Sequence, residues 1–177
     1  NAQSNNSGRT TAVYGSFLAA LEAERNWDMR KAANLFVRVM EDKPDDEELM
    51  RKSFKVALLA GMEKLSLDLG ERLENEGYND NAAKFLLLIR SVHEEKFEEV
   101  LKSLPDVKES GIAAYATPIV AAWAAYGRND VDGALSYLSQ LTDGDGFRVL
   151  RGLQEGLIND LANRPMEAEE AYRSIVQ

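Results

Sequence analysis

The chain has 177 residues, 45 % hydrophobic and 29 % charged, the balance of a folded domain with a real core rather than a disordered segment. A formal net charge of −9 excludes the overall cationic footprint with which nucleic-acid binders displace counterions, and it argues against docking on an anionic membrane surface. The absence of cysteine excludes disulfides, thiolate metal sites and a Cys nucleophile.

Ala, Leu and Glu, strong helix formers, dominate, and only four prolines interrupt them. Alternating β-branched runs are missing, so the composition predicts an all-α fold. The longest apolar stretch, Ala113 to Tyr126, contains Thr117 and Pro118 and falls short of the roughly 18 residues that span a bilayer. A soluble chain without membrane insertion is expected.

In chain order, residues 1–12 read as a polar, disordered lead-in or tag remnant, because Asn1 opens without a Met. A helix from Tyr14 meets a turn at Asn26–Asp28, and a second helix runs through Met40 to Asp42-Lys43-Pro44. Asp45, Asp46, Glu47 and Glu48 then place negative charge where the next helix dipole favours it. Gly61 breaks the second hairpin, and Gly77-Tyr78-Asn79-Asp80 closes it. Pro118 is expected in the first turn of its helix, where a missing N–H does little harm. Gly127-Arg128-Asn129-Asp130 forms a further turn. Asp143-Gly144-Asp145-Gly146 reads as a turn too, lacking the ligand count of a calcium loop.

A register of 34 residues organises these elements. Ala32, Ser66, Val100, Ala134 and Ala168 recur at that spacing without insertion. One turn later stand Phe36, Gly70, Leu104, Leu138 and Tyr172; twelve residues earlier stand Ala20, Phe54, Leu88, Ala122 and Gly156. Small residues such as Ala20 opposite Ala32 and Ala122 opposite Ala134 let two helix axes approach. Ala32 with Phe36 and Pro44, and Ala168 with Tyr172, resemble the Ala-x-x-x-Phe…Pro ending of the tetratricopeptide repeat. The middle units depart from that pattern at Ser66, Gly70 and Val100 and rest on spacing. The resemblance covers about Val13 to Gln177 and implies a right-handed α-solenoid of about five helix-turn-helix repeats, with units near 13–46, 47–80, 81–114, 115–148 and 149–177. The opening Tyr14–Ala20 resembles bacterial members that are often exported and longer. That implies a periplasmic or cell-envelope location and a chain continuing beyond this sequence, with the cytoplasm as the alternative.

The resemblance also implies that the first helices of successive pairs line a concave groove for a protein or peptide. Its wall would carry Tyr14, Phe17, Leu21, Glu24 and Arg25, then Arg51, Lys55 and Leu58, then Phe85, Ile89, Val92 and His93, then Ile119, Trp123 and Tyr126, then Leu153, Leu157 and Asp160. Trp123 either anchors a partner or fills inter-repeat core. Arg51 and Lys55, one turn apart, either clamp a peptide carboxylate or pair with Glu48 and nearby acids. Solenoids close with a polar cap, so the apolar stripe Ala168, Ala171, Tyr172 and Ile175 on the last helix implies an open stacking face for further repeats or a second copy. His93 stands alone, with Phe97 where a zinc-protease helix needs its second His, so no metal or cofactor is expected. Without strands, phosphate loops or a nucleophile context, no enzyme is expected either. The expected role is an interaction scaffold; the alternative is a self-association segment filled by its own continuation or a second copy.

Overall fold

The computed structural model describes the backbone of residues 2–106, 113–141 and 145–176, and the side chains of residues 12–105, 115–141 and 147–176. Among the described residues there are ten α-helices and no strand. They form five consecutive helix-turn-helix pairs: α1 (Ala2–Arg25) with α2 (Met29–Met40), α3 (Glu47–Leu59) with α4 (Glu63–Asn75), α5 (Asn81–His93) with α6 (Phe97–Ser103), α7 (Ala113–Gly127) with α8 (Val131–Leu138), and α9 (Asp145–Leu161) with α10 (Pro165–Val176). A short 3-10 turn, Leu104–Asp106, follows α6. This is an all-α helical-repeat fold of the solenoid class.

The chain divides into two compact units, residues 1–84 and 85–177. In the first, α2 packs on α1 and α3, and α3 on α4. In the second, α7 packs on α6 and α8, and α9 on α8, α10 and also α7. Neither unit contains a helix long and apolar enough to cross a membrane among its described residues.

The repeat is written into the backbone of the turns. Trp27, Gly61, Glu95, Asn129 and Asn163, each 34 residues after the last, all take φ between 57° and 63°. In every case the next residue's N–H reaches back to a carbonyl in the last turn of the first helix, at 2.9–3.0 Å, as from Asp28 to Ala23 and from Arg164 to Asn159. Left-handed geometry suits Gly and Asn; a Trp or Glu there is strained by about 1 kcal/mol. Asp28 and Asp130 then cap the second helix by accepting from the Lys31 and Gly133 N–H groups, and Asp46 caps α3 through Leu49.

Inside the pairs, size is exchanged rather than conserved. Ala20 and Phe36 are both fully buried in the first pair; the second reverses them, with the Phe54 ring resting on Gly70. The last pair sets Tyr172 against Gly156, where a Cβ would strike the ring. Each pair keeps one bulky and one small member, or two of middle size, as close packing requires. Gly70 is therefore the complement of Phe54 rather than a degraded aromatic position.

α1 begins at Ala2, because extending an existing helix by one residue costs little once its nucleus has formed. Two expectations need correction. Pro118 lies inside α7, beyond its first turn. The helix tolerates it because the buried Ala121, Ala122, Ala124 and Ala125 hold α7 by tertiary packing rather than by its backbone alone. Of the Asp143–Gly146 turn, Asp143 and Gly144 lie outside the described residues, and Asp145 already begins α9.

Candidate functional site

Exposed apolar side chains are not scattered. Tyr14 and Leu18 lie on α1, Leu58 and Leu59 on α3, Ile89 on α5, Tyr115 on α7, and Val149, Leu153, Leu157 and Leu161 on α9. Among the described residues, only Met166 and Val176 expose a large apolar side chain on a second helix. In each unit the first helices thus carry apolar side chains that their own pairs leave partly uncovered.

In the first unit this face opens into a cleft of about 590 Å³ between α1, the end of α2 and the start of α3. Val13, Tyr14, Phe17, Val39 and Leu49 supply its apolar lining. Phe17 is half-buried and meets Phe36 edge-on with ring centres 6.0 Å apart, and Leu21 is half-buried further along α1. Lys52 at the rim lies 5.5 Å from the Phe36 ring centre and 2.8 Å from Glu24. Arg51 and Lys55 part company here. The Arg51 guanidinium holds Glu47 at 2.7 Å, Asp80 at 2.9 Å and the Asn79 carbonyl at 3.2 Å, while Lys55 is exposed. Hydrogen bonding to Glu47, more than to Asp80, raises the Arg51 pKa. Arg51 ties α3 to the loop before α5 through the nearby acids Glu47 and Asp80.

In the second unit the predicted residues separate into core and face. Phe85 and Val92 pack on a core of Leu88, Val100 and Ala124, whereas Ile89 between them is exposed; His93 is exposed at the end of α5. Ile119, Trp123 and Tyr126 pack against buried Ala122, Ala134, Leu138 and Ile158. The Trp123 indole N–H donates to Gln154 at 2.8 Å, its ring meets Tyr126 edge-on, and the Tyr126 hydroxyl donates to the Leu161 carbonyl at 3.2 Å. Both polar tips are engaged within the chain, and Trp123 is half-buried. The open surface is instead on α9: Leu153 is 43 % exposed, Leu157 38 % and Leu161 60 %, one above another at four-residue spacing. Asp160 beside them accepts from the Tyr172 hydroxyl at 2.8 Å.

Leu18, Leu59, Tyr115, Val149 and Leu161 were missing from the sequence-based groove. The register could have found two of them: Leu59 and Leu161 fall 34-residue steps from Arg25 and His93, which were included. Tyr115 stacks on Phe147 with centres 4.0 Å apart, a contact that spacing could not show.

The four residues expected to form an open face on the last helix lie toward α9. Ala168 and Ala171 are buried, Tyr172 lies over Gly156, and Ile175 sits against Gly152. This stripe is the inner seam of the last pair. The outward residues of α10 are Met166, Glu169, Glu170 and Arg173, with Arg173 paired to Glu169 at 2.6 Å. The stripe's periodicity was read correctly, but the helix it covers is α9.

Five hairpins sharing one turn geometry and one 34-residue register define a tetratricopeptide-type helical-repeat fold. No protein-family model matches the chain, and no curated protein does. Solved structures do: MamA from residue 41 to its end, from Desulfovibrio magneticus RS-1, superposes with a TM-score of 0.72 at 12 % identity over 93 % of each chain. A double mutant of MamA from RS-1 gives a TM-score of 0.71 at 12 % identity, covering 93 % of this chain and 92 % of that one. MamA from MSR-1 gives 0.67 at 13 % identity, over 93 % and 94 %. At such identity the likeness is one of fold.

Proposed function

We propose that the chain is a protein-interaction scaffold, without chemistry of its own, that binds a partner protein or peptide through the apolar face of its first helices. The observation that carries this reading is that, among the described residues, most exposed large apolar side chains lie on α1, α3, α5, α7 and α9, with Trp27 in a turn and Met166 and Val176 on α10 as the exceptions. A stripe such as Leu153-Leu157-Leu161 adds nothing to its own pair, and burying it yields about 25 cal/mol per Å2 of apolar area. An apolar surface of this kind fits the non-polar side of an amphipathic helix or an extended peptide. Because Ala168 and Ala171 are buried, we place contact with a second copy at the first helices rather than at that stripe of α10.

A photo-activated crosslinking residue placed at Ile89 or Leu157, with Glu71 or Glu170 on second helices as controls, tests this in native extract. Adducts from the first-helix positions alone are expected, and their mass separates a foreign partner from a second copy. Equal labelling at both sets of positions would remove the basis for the proposal.

A further inference from the structure

The second helices contain their own internal comparison, and α2 stands apart in it. Its buried side is Ala32, Ala33, Phe36, Val39 and Met40; its outward side carries Arg30, Lys31, Asn34 and Arg38. These residues ring a shallow depression of about 450 Å³ with Leu35 in its wall. Asp28 is the one carboxylate lining it, and that group is engaged in capping the Lys31 N–H at 3.2 Å.

At the same register elsewhere, each cation is answered by an acid one turn away. Lys64, in the place of Arg30, pairs with Asp68 at 2.8 Å; Arg72, in the place of Arg38, lies 3.8 Å from Glu76; Lys102, in the place of Asn34, lies 3.8 Å from Glu98. Among the described residues Arg30, Lys31 and Arg38 come within ion-pair distance of no carboxylate, although Asp42 follows Arg38 by one turn and Glu63 and Asp68 share a neighbouring depression with Arg30 and Asn34. A chain of net charge −9 thus keeps three cations together on one helix face, none of them within ion-pair distance of a described carboxylate.

We propose that the outward face of α2 binds an acidic segment of a partner protein, with carboxylates at helical spacing on either side of one apolar side chain seated against Leu35. Two of the three cations are arginines, whose planar guanidinium matches a carboxylate in two-point contact. The overall charge selects the size of the ligand. An extended polyanion, whether a bilayer or a nucleic acid, meets the acidic remainder of the surface, whereas a short segment lies within about one Debye length of the patch and responds to it alone. This surface lies on a second helix and is independent of the apolar face assigned above.

The test is a titration of the full chain with a fluorescein-labelled amphipathic peptide carrying Glu around a Leu stripe. Comparators are the same peptide with Gln for Glu, and phosphatidylglycerol vesicles. Binding should weaken at least about tenfold in the Arg30→Glu/Arg38→Glu variant and similarly when salt rises from about 0.05 to about 0.3 M, and it should vanish with the Gln peptide. Circular dichroism of the variant checks that it folds. Chemical-shift changes on the unaltered protein should map to α2. Equal affinity in the variant, shifts confined to α7 or α9, or binding of the vesicles but not the peptide would overturn the proposal.

Discussion

Gly156 and Tyr172 meet at the same register positions as Ala20 and Phe36, or Ala122 and Leu138. A Cβ on Gly156 would collide with the Tyr172 ring, and the ring is held by its hydroxyl bond to Asp160. Gly156→Ala should therefore destabilise the chain by about 1–3 kcal/mol. Adding Tyr172→Leu recreates the Ala122/Leu138 combination and should restore part of the loss, read from paired urea transitions. If the double variant is no better than the single one, complementary size is not what holds the pair. Nearby, Glu155 occupies a position that elsewhere holds the buried Ser53 and Ala121. Burial raises its pKa, with Arg151 pulling the other way. A carboxyl whose folded pKa exceeds its unfolded value binds its proton more tightly when folded, so the benefit exists below the unfolded value and is lost as pH rises through the folded one. Glu155→Gln should raise the melting temperature at pH 7 and make no difference below about pH 4. A gain that persists in acid would show that charge burial is not the cause. Spacing alone exposed the register to view, but it could not reveal these exchanges. Gly70 looks like a failed match until Phe54 is seen lying across it.

At the scale of the element, the turn between paired helices is the most constant feature, and its constancy is conformational rather than chemical. Trp27, Gly61, Glu95, Asn129 and Asn163 share one φ across four different residue types. A Cβ on Gly61 would meet nothing within 4 Å, so Gly61→Ala should destabilise by about 1 kcal/mol through the backbone alone. The converse change, Glu95→Gly, should stabilise by about 0.5–1 kcal/mol. Thermal melts of the two variants should move in opposite directions; a shared sign would mean that turn geometry is not limiting. The sequence marked Gly61 and Asn129 as turns because those residues favour left-handed backbone. Glu95 carries no such mark, and only its register betrays it. The placement of Pro118 inside α7 has a related reason. Local rules set helix boundaries from propensity, whereas packing of the buried alanines in α7 and continuation from a formed helix decide them here.

Over the whole molecule, an all-α repeat of five pairs was legible because a 34-residue register is a property of the chain itself. The candidate surface was only partly legible. Periodicity says which side of a helix is apolar, and it does not say whether a neighbour covers that side. Ala168 and Ala171 proved to be covered, Trp123 and Phe85 half-covered, and Ile89, Leu153 and Leu157 open. The net charge of −9 likewise gives no sign of the cluster of Arg30, Lys31 and Arg38 on α2. The most direct test of the scaffold reading is partner recovery from native extract with Leu153→Glu/Leu157→Glu, set against Met166→Glu on the second helix of the same pair. All three side chains are already open to solvent, so circular dichroism and melting should change little. The account predicts that partner recovery falls at least about tenfold, equivalent to about 1.4 kcal/mol of binding free energy, in the α9 variant and not in the α10 variant. Undiminished recovery by a folded Leu153→Glu/Leu157→Glu protein would contradict it.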